Sequence, residues 1–115
     1  MRTIIAGSRS CTNRQHLLAA LEMCGWVPTV VISGTALGPD RFGEDWAEES
    51  NVPCERFPAD WDRYGKSAGY RRNEQMADSA EALIALWDAR SRGTMHMIDI
   101  AKRKGLRIYV HVVDD

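Results

Sequence analysis

The 115 residues contain 15 Lys and Arg against 16 Asp and Glu, for a formal net charge of −1, and 44% of the residues are hydrophobic. A chain of this length closes one hydrophobic core and is too short for two, so we expect a single domain over residues 1–115. Because the net charge is close to zero, no global positive field is available for DNA, RNA or an acidic membrane surface. Nucleic acid is therefore not an expected partner.

The cysteines and the apolar content indicate the cell compartment. Cys11, Cys24 and Cys54 are scattered and lack the spacing of a zinc site, so we expect free thiols, no bound metal and no cofactor. The start of the chain has no long apolar segment, and no run approaches the ~20 apolar residues of a membrane span. These features predict a cytoplasmic protein with no membrane partner.

The first half of the chain predicts two apolar strands, each followed by a helix. Thr3–Ala6 is almost wholly apolar, which suits a strand buried on both faces of a parallel sheet. A helix follows, opened by a capping box at Thr12–Gln15 and ended by a glycine. Thr29–Ile32 repeats the strand pattern. A second helix is predicted over residues 40–50, with Asp40 as its N-cap.

The second half continues the alternation after a long loop. Val52–Phe57 predicts a more polar, and therefore edge, strand. Ala59–Gly69 is the longest irregular stretch, and long loops in compact domains are often functional. A helix over Tyr70–Ala80 then leads into the apolar fourth strand, Ala82–Trp87.

The last elements complete the pattern. Ser91–Thr94 opens a final helix that ends at Gly105, and Leu106–Val113 predicts a fifth strand with the polar alternation of an edge. Strands that alternate with helices form a parallel sheet, because each crossover needs a helix to return the chain. With the apolar strands central, right-handed crossovers give the order 3-2-1-4-5. We therefore expect an α/β, Rossmann-like three-layer sandwich, with a crevice between strands one and four.

Three loops at the carboxyl ends of these strands are rich in glycine and hydroxyl groups. They are Gly7–Arg9, Ser33–Asp40 and Ser91–Thr94. Such loops let backbone N–H groups approach a phosphate, so we expect the amides of Ser8, residues 34–38 and residues 93–94 to face one cavity. The alternative is that the glycines only make tight turns. Their convergence on one crevice, near several cationic side chains, favours an anion site.

The expected ligand-binding residues come from these loops and from the basic segment after the third strand. They are Gly7, Ser8, Arg9, Ser33, Gly34, Ala36, Gly38, Asp40, Lys66, Arg72, Asn73, Ser91, Gly93 and Thr94. Arg71 is a further nearby cation. Trp61 and Tyr64 could stack a base or could pack against the core.

Several motifs in this order resemble a known family. The motifs are Ala6-Gly7-Ser8-Arg9, Ser33-Gly34-x-Ala36-x-Gly38-x-Asp40-x-x-Gly43, Phe57–Trp61, Gly65-Lys66-x-Ala68-Gly69, Arg72-Asn73 and Ser91–Thr94. Nearly end to end, the chain resembles the SLOG superfamily in its YspA/YpsA-like branch. That branch occurs in bacteria and phages and is related to lonely-guy phosphoribohydrolases and DprA-type Rossmann domains. The resemblance implies a nucleotide or nucleotide-derived ligand held by the loops after strands one, two and four.

The resemblance also bears on catalysis. The phosphoribohydrolases use an Arg and a Glu in a Gly-rich loop, and by position Arg72 matches the Arg while Met97 stands where the Glu should be. A thioether neither accepts a proton nor stabilises a cationic transition state. Asp40, Glu44 and Asp88 are the carboxylates that could replace it.

The expected function is therefore binding of a small phosphorylated nucleotide ligand by a sensor or sequestering module. The alternative is a phosphoribohydrolase-like nucleotide N-glycosidase, with Arg72 and Asp40 as candidate catalytic residues. A small α/β unit of this kind often forms a homodimer, which we also expect here.

Overall fold

The computed structural model of the chain describes residues 1–113. Asp114 and Asp115, the last two residues of the predicted domain, lie outside the described residues. The strands are β1 (Arg2–Gly7), β2 (Val30–Ser33), β3 (Cys54–Arg56), β4 (Ala82–Trp87) and β5 (Arg107–Val112). The helices are α1 (Gln15–Met23), α2 (Pro39–Glu49), α3 (Trp61–Tyr64), α4 (Ala68–Ser79) and α5 (Arg92–Arg103), with a 3-10 turn at Gly65–Ser67 between α3 and α4.

The five strands form one parallel sheet in the order β3-β2-β1-β4-β5, which confirms the predicted topology. β1 lies at the centre, where Thr3 pairs with Val31 of β2 and with Ala82 of β4. The one buried polar side chain of β1 is satisfied, since the Thr3 hydroxyl accepts a hydrogen bond from the Trp26 indole at 3.0 Å and donates to the Met1 carbonyl at 3.0 Å. A fully buried central strand is therefore compatible with this sequence.

Two apolar layers cover the sheet, one on each face. Successive strand residues point to opposite faces, so Ile4 packs with the α4 and α5 side while Ile5 packs with the α1 and α2 side. Met76 and Ile100 belong to the first layer, and Leu17 belongs to the second. The result is the expected three-layer α/β sandwich. Among residues 1–113, no helix has both the length and the apolar character needed to cross a bilayer.

Two predicted helix caps are wrong. α1 has Arg14 as its N-cap without a side-chain cap bond, and the Asn13 side chain instead accepts from the Gln15 amide at 3.0 Å. α2 begins at Pro39 with Gly38 as its N-cap, so Asp40 lies within the first turn. Proline is favoured at the first helical position because its φ is already helical and its missing N–H is not needed there. Asp40 is thereby left available for a different contact.

The stretch predicted as irregular between Ala59 and Gly69 is mostly helical. It forms α3, the 3-10 turn and the start of α4, which begins at Ala68 rather than Tyr70. The Asp60 carboxylate caps α3 by accepting the Arg63 amide at 3.2 Å. Two short helical turns therefore stand where the sequence indicated a loop. Together with the start of α4 they bring Trp61, Lys66 and Gly69 to the carboxyl end of the sheet.

Candidate functional site

A cleft of about 460 Å³ lies at the carboxyl ends of β1 and β4, where the strand order reverses. This is the position at which open parallel sheets bind ligands, and the volume is in the range of small-molecule sites. The walls come from the loops after β1 and β4 and from the first turns of α2, α4 and α5. The cleft is therefore built from the segments that carry the predicted motifs.

Most of the predicted ligand-binding residues line this cleft. They are Gly7, Ser8, Arg9, Ala36, Asp40, Lys66, Arg72, Asn73, Ser91, Gly93 and Thr94. Gly34 lies beside it, in a second depression of about 340 Å³ that shares Arg9, Ala36, Trp61 and Arg72 with the cleft.

Two predicted residues do not line either cavity. Ser33 is fully buried, and its hydroxyl donates to Glu44 at 2.6 Å. Gly38 caps α2 with a φ of 84°, and its carbonyl accepts from the Arg41 amide at 2.9 Å. A positive φ favours glycine there, so this residue shapes the loop.

The predicted cradle of backbone amides is wrong for Ser8, Thr35 and Ala36. The Ser8 amide donates to the Leu86 carbonyl at 2.9 Å and so extends the sheet. In the loop after β2, the Thr35 amide donates to the Ser33 hydroxyl at 3.0 Å and the Ala36 amide to Asp40 at 3.1 Å. These donors are used inside the protein. Two further predicted amides, those of Gly93 and Thr94, lie in the first turn of α5, whose N-cap makes no side-chain cap bond.

Three cationic side chains, Arg9, Lys66 and Arg72, line the cleft. Arg72 is held most firmly, since its guanidinium donates to the Gly34 carbonyl and to the Asn73 side chain, the latter at 3.1 Å. Burial lowers the pKa of Arg72 from its ordinary value, and the charge of Asp40 opposes that shift. Arginine nevertheless stays protonated in proteins. Arg71 turns away and lies 4.4 Å from the centre of the Tyr64 ring.

Asp40 is a buried carboxyl at the edge of the cleft, only 4% exposed. Burial raises the pKa of Asp40 to about 6, while the hydrogen bond from the Ala36 amide and the charge of Arg72 act in the opposite direction. Burial has the larger effect because a carboxylate loses much of its hydration there. This side chain can therefore exchange a proton near neutral pH.

Asp88 is a second carboxylate of the cleft, in the opposite electrostatic state. One carboxylate oxygen accepts the amides of Ser91 and Arg90, each at 2.8 Å, and the other accepts the Ser10 hydroxyl at 2.8 Å. These donors hold the pKa of Asp88 well below its usual range. Asp88 is therefore ionised at every physiological pH.

A chain of hydroxyl groups crosses the floor of the cleft from the β1 loop to α5. The Ser8 and Ser91 hydroxyls lie 2.7 Å apart, and the Ser91 hydroxyl donates to that of Thr94 at 2.9 Å. Since a hydroxyl has one hydrogen, Ser8 is the donor in the first pair. Ser8 in turn accepts from the Asp88 amide at 3.0 Å. The loops after β1 and β4 are therefore fixed to each other.

Aromatic side chains stand at the rim. Trp61 and Tyr70 both line the cleft and are 55% and 45% exposed. Tyr70 packs on His96 with ring centres 4.2 Å apart, and His96 in turn contacts the Asn73 amide at 3.1 Å. Tyr64, the other aromatic residue considered for base stacking, is not among the lining residues.

Some residues that line the cleft were not predicted from the sequence. Ala6, Ser10, Gly69, Tyr70 and Met76 line the cleft without having been predicted. The helical spacing of Met76 indicated only a core residue, and it is indeed 1% exposed. Gly69 and Tyr70 could have been found from the start of α4, which the sequence placed too late. Met97 also lines the cleft and is 1% exposed.

Comparison with known proteins identifies a family and a relative of this chain. A model of the YspA, cpYpsA-related SLOG family (YAcAr) matches residues 1–64. The Gene 61 protein of Mycobacterium phage D29 is 34% identical over 116 residues, which covers 93% of this chain and 93% of that protein. No solved structure matches the chain at a significant level. The chain belongs to the YspA, cpYpsA-related SLOG family.

Proposed function

We propose that the chain binds a nucleotide, or a nucleotide-derived phosphorylated ligand, in the cleft at the carboxyl ends of β1 and β4. The observation that carries the proposal is the convergence of Arg9, Lys66 and Arg72 on one cleft in a chain of net charge −1. A local cluster of this kind concentrates positive potential that the whole molecule lacks.

The helices add to this potential. α2, α4 and α5 all contribute first-turn residues to the cleft: Asp40, Gly69 and Thr94, respectively. The amino end of a helix carries a partial positive charge, and its first N–H groups have no partner within the helix. Phosphate groups are common ligands at such ends. None of the three helices has a side-chain cap bond at its N-cap residue, and α5 contributes both Gly93 and Thr94 of its first turn to the cleft.

The rim supplies surface for a base. Trp61 and Tyr70 expose about half of their area beside the cationic wall. Exposed aromatic rings next to a phosphate site suit a ligand with a planar base at one end and a phosphate at the other. Membership of a SLOG family is consistent with this nucleotide-related function. The role that follows is that of a sensor or a sequestering module.

Isothermal calorimetry with AMP, ADP-ribose and NAD tests the proposal, with inorganic phosphate as a reference for the phosphate alone. We expect at least one nucleotide to bind with micromolar affinity and phosphate to bind far more weakly, because only the nucleotide meets both the cations and the aromatic rim. Native mass spectrometry of the freshly purified protein adds a search for ligand retained from the cell. Absence of binding in calorimetry together with an empty mass spectrum would contradict the proposal.

A nucleotide N-glycosidase is the second candidate, and the two carboxyl groups of the cleft favour it. Burial raises the pKa of Asp40 to about 6, whereas hydrogen bonds hold the pKa of Asp88 low. Glycosidases use one protonated and one ionised carboxyl group in this way. Met97 still occupies the position of the glutamate in the resembled hydrolases. Release of free base from AMP, NAD or ADP-ribose by the wild type, lost in Asp40→Asn, would establish the enzyme.

A further inference from the structure

The loop between β4 and α5 places a permanent negative charge in the cationic cleft. Asp88 lines this cleft together with Arg9, Lys66 and Arg72. Its carboxylate accepts three hydrogen bonds, two on one oxygen and one on the other. A carboxylate has about four acceptor sites, so one oxygen keeps capacity for a further donor. The group that meets Asp88 must therefore bring a hydrogen to it.

A fully ionised phosphate cannot be that group, because it has no hydrogen to donate and carries the same sign of charge as Asp88. The neighbouring side of the loop has the opposite chemistry. The hydroxyl chain runs from Ser8 through Ser91 to Thr94, so the Thr94 hydroxyl keeps its own hydrogen for another acceptor. A donor site in the first turn of α5 and an acceptor site on the loop before that helix thus line the same cleft. A ligand that spans them presents an anion at α5 and hydroxyl groups at Asp88.

We propose that Asp88 binds the sugar hydroxyl groups of the ligand, and that the cleft therefore selects ribonucleoside phosphates over their deoxy forms. This inference rests on the proposed function and specifies the substrate class of the same cleft. The sugar of a ribonucleotide joins phosphate and base and carries free hydroxyls between them. It supplies the donors that a carboxylate at this position requires.

The backbone of the loop supports a ligand-directed role. Ala89, next to Asp88, has a φ of 65°, a left-handed conformation that costs a side-chain-bearing residue energy. The hydrogen bonds from the Arg90 and Ser91 backbone amides to Asp88 hold the loop in that conformation. Strain of this kind persists where surrounding contacts over-determine the backbone, and it is concentrated at binding sites. The carboxylate is thus fixed in place before a ligand arrives.

Calorimetry with AMP, 2′-deoxy-AMP and 3′-deoxy-AMP tests the inference. We expect the wild type to bind AMP at least about tenfold more tightly than one of the deoxy forms, because the deoxy form loses the charge-assisted hydrogen bond from its sugar hydroxyl to the Asp88 carboxylate. In Asp88→Asn this ratio should fall to about threefold or less, since the amide keeps the loop contacts but loses the charge. Asp88→Ser is a second variant, in which a short hydroxyl can still cap the loop. Asp99→Asn, an exposed position on α5, removes the same charge as a control and should keep the wild-type ratio.

Each remaining outcome separates this inference from the proposed function. Equal wild-type affinity for AMP and both deoxy forms would overturn the inference and leave nucleotide binding intact. An unchanged affinity ratio in both Asp88 variants would also overturn the inference, because Asp88 would then only hold the loop and not contact the sugar. If the preference for AMP over the deoxy forms disappears when EDTA is added, a bound cation rather than a direct hydrogen bond joins Asp88 to the sugar. If NAD or ADP-ribose binds but AMP does not, the choice of ribonucleoside phosphates is wrong; if none binds, both proposals fail.

Discussion

The guanidinium of Arg72 donates a hydrogen bond to the carbonyl oxygen of Gly34, which joins α4 to the loop after β2. The contact depends on the absence of a side chain at Gly34. A Cβ there would lie 2.7 Å from the Arg72 guanidinium and 2.9 Å from the Asp40 carboxylate. The glycine thus allows a cation and a buried carboxyl to approach the same piece of backbone at the edge of the cleft.

Arg72→Ala should weaken nucleotide binding by at least about tenfold. A charge-assisted hydrogen bond shielded from water contributes about 1.5 to 3 kcal/mol, and tenfold in affinity corresponds to about 1.4 kcal/mol. Arg71→Ala is the matched control, because the adjacent arginine is exposed and packs on Tyr64 outside the cleft. Calorimetry on both variants checks the prediction. A similar loss of affinity in the two variants would mean that the total positive charge, and not a specific contact of Arg72, is responsible.

Asp40 should make the stability of the fold depend on pH. Burial raises the pKa of Asp40 from 3.8 to about 6, so between these values the folded state binds the proton more tightly than the unfolded state does. The contribution of this group to the free energy of unfolding therefore decreases as the pH rises through that window, by up to about 3 kcal/mol. Asp40→Asn does not titrate. Urea unfolding at about pH 4 and about pH 7 gives the free energy of unfolding of both proteins. Relative to the wild type, Asp40→Asn should be more stable at about pH 7 than at about pH 4; a difference that does not change with pH would contradict the assigned pKa.

The strand order could be predicted because it depends on a coarse property of the sequence. β1 and β4 are apolar on both faces, as Ile4 and Ile5 in β1 show, and only central strands of a covered parallel sheet need that. Right-handed crossovers then leave one order. Helix starts depend on finer choices. Aspartate is among the best N-cap residues, so the sequence alone favours Asp40 as the cap. In the structure Pro39 takes the first helical position, and Asp40 lies buried within the first turn instead.

The cleft was harder to predict than the fold, because its contacts join distant parts of the chain. Ser8 and Ser91 are 83 residues apart in sequence, and no local pattern indicates that their hydroxyls meet. The amides after β2 were predicted to face a phosphate, yet Asp40 and Ser33 accept two of them. A glycine-rich loop in a sequence indicates an accessible backbone, but it does not indicate whether a ligand or a side chain of the protein accepts the hydrogen bonds of its amides.

Alanine at two glycines should separate a ligand contact from a packing contact. A Cβ at Gly93 would have no heavy atom within 4 Å, so Gly93→Ala should fold with an unchanged or higher melting temperature and bind nucleotide more weakly. A Cβ at Gly34 would displace Arg72 and Asp40, so Gly34→Ala should lose both stability and affinity. Thermal melts and calorimetry give the two readouts. Wild-type affinity in Gly93→Ala would remove the amino end of α5 from the binding site.

Met97→Glu restores the glutamate of the resembled hydrolases, but the structure predicts that it destabilises the fold. Met97 is 1% exposed and belongs to the apolar layer with Ile4 and Ile100, although it also reaches the cleft wall. A carboxylate in that layer loses its hydration without gaining an ionic partner, which costs at least about 2 kcal/mol. Met97→Gln is the matched control, since it has nearly the same shape and no charge.

The comparison should be made at about pH 8 and about pH 4, by thermal or urea unfolding. The Glu variant should be less stable than the Gln variant at the higher pH, and the two should converge at the lower pH, where the buried carboxyl is protonated and the charge is removed. Equal stability at both values would mean that the side chain at position 97 turns into the cleft and stays hydrated. In that case the carboxylate stands where a ligand would lie, and release of free base from AMP by the Glu variant, absent in the Gln variant, would identify position 97 as facing the glycosidic bond.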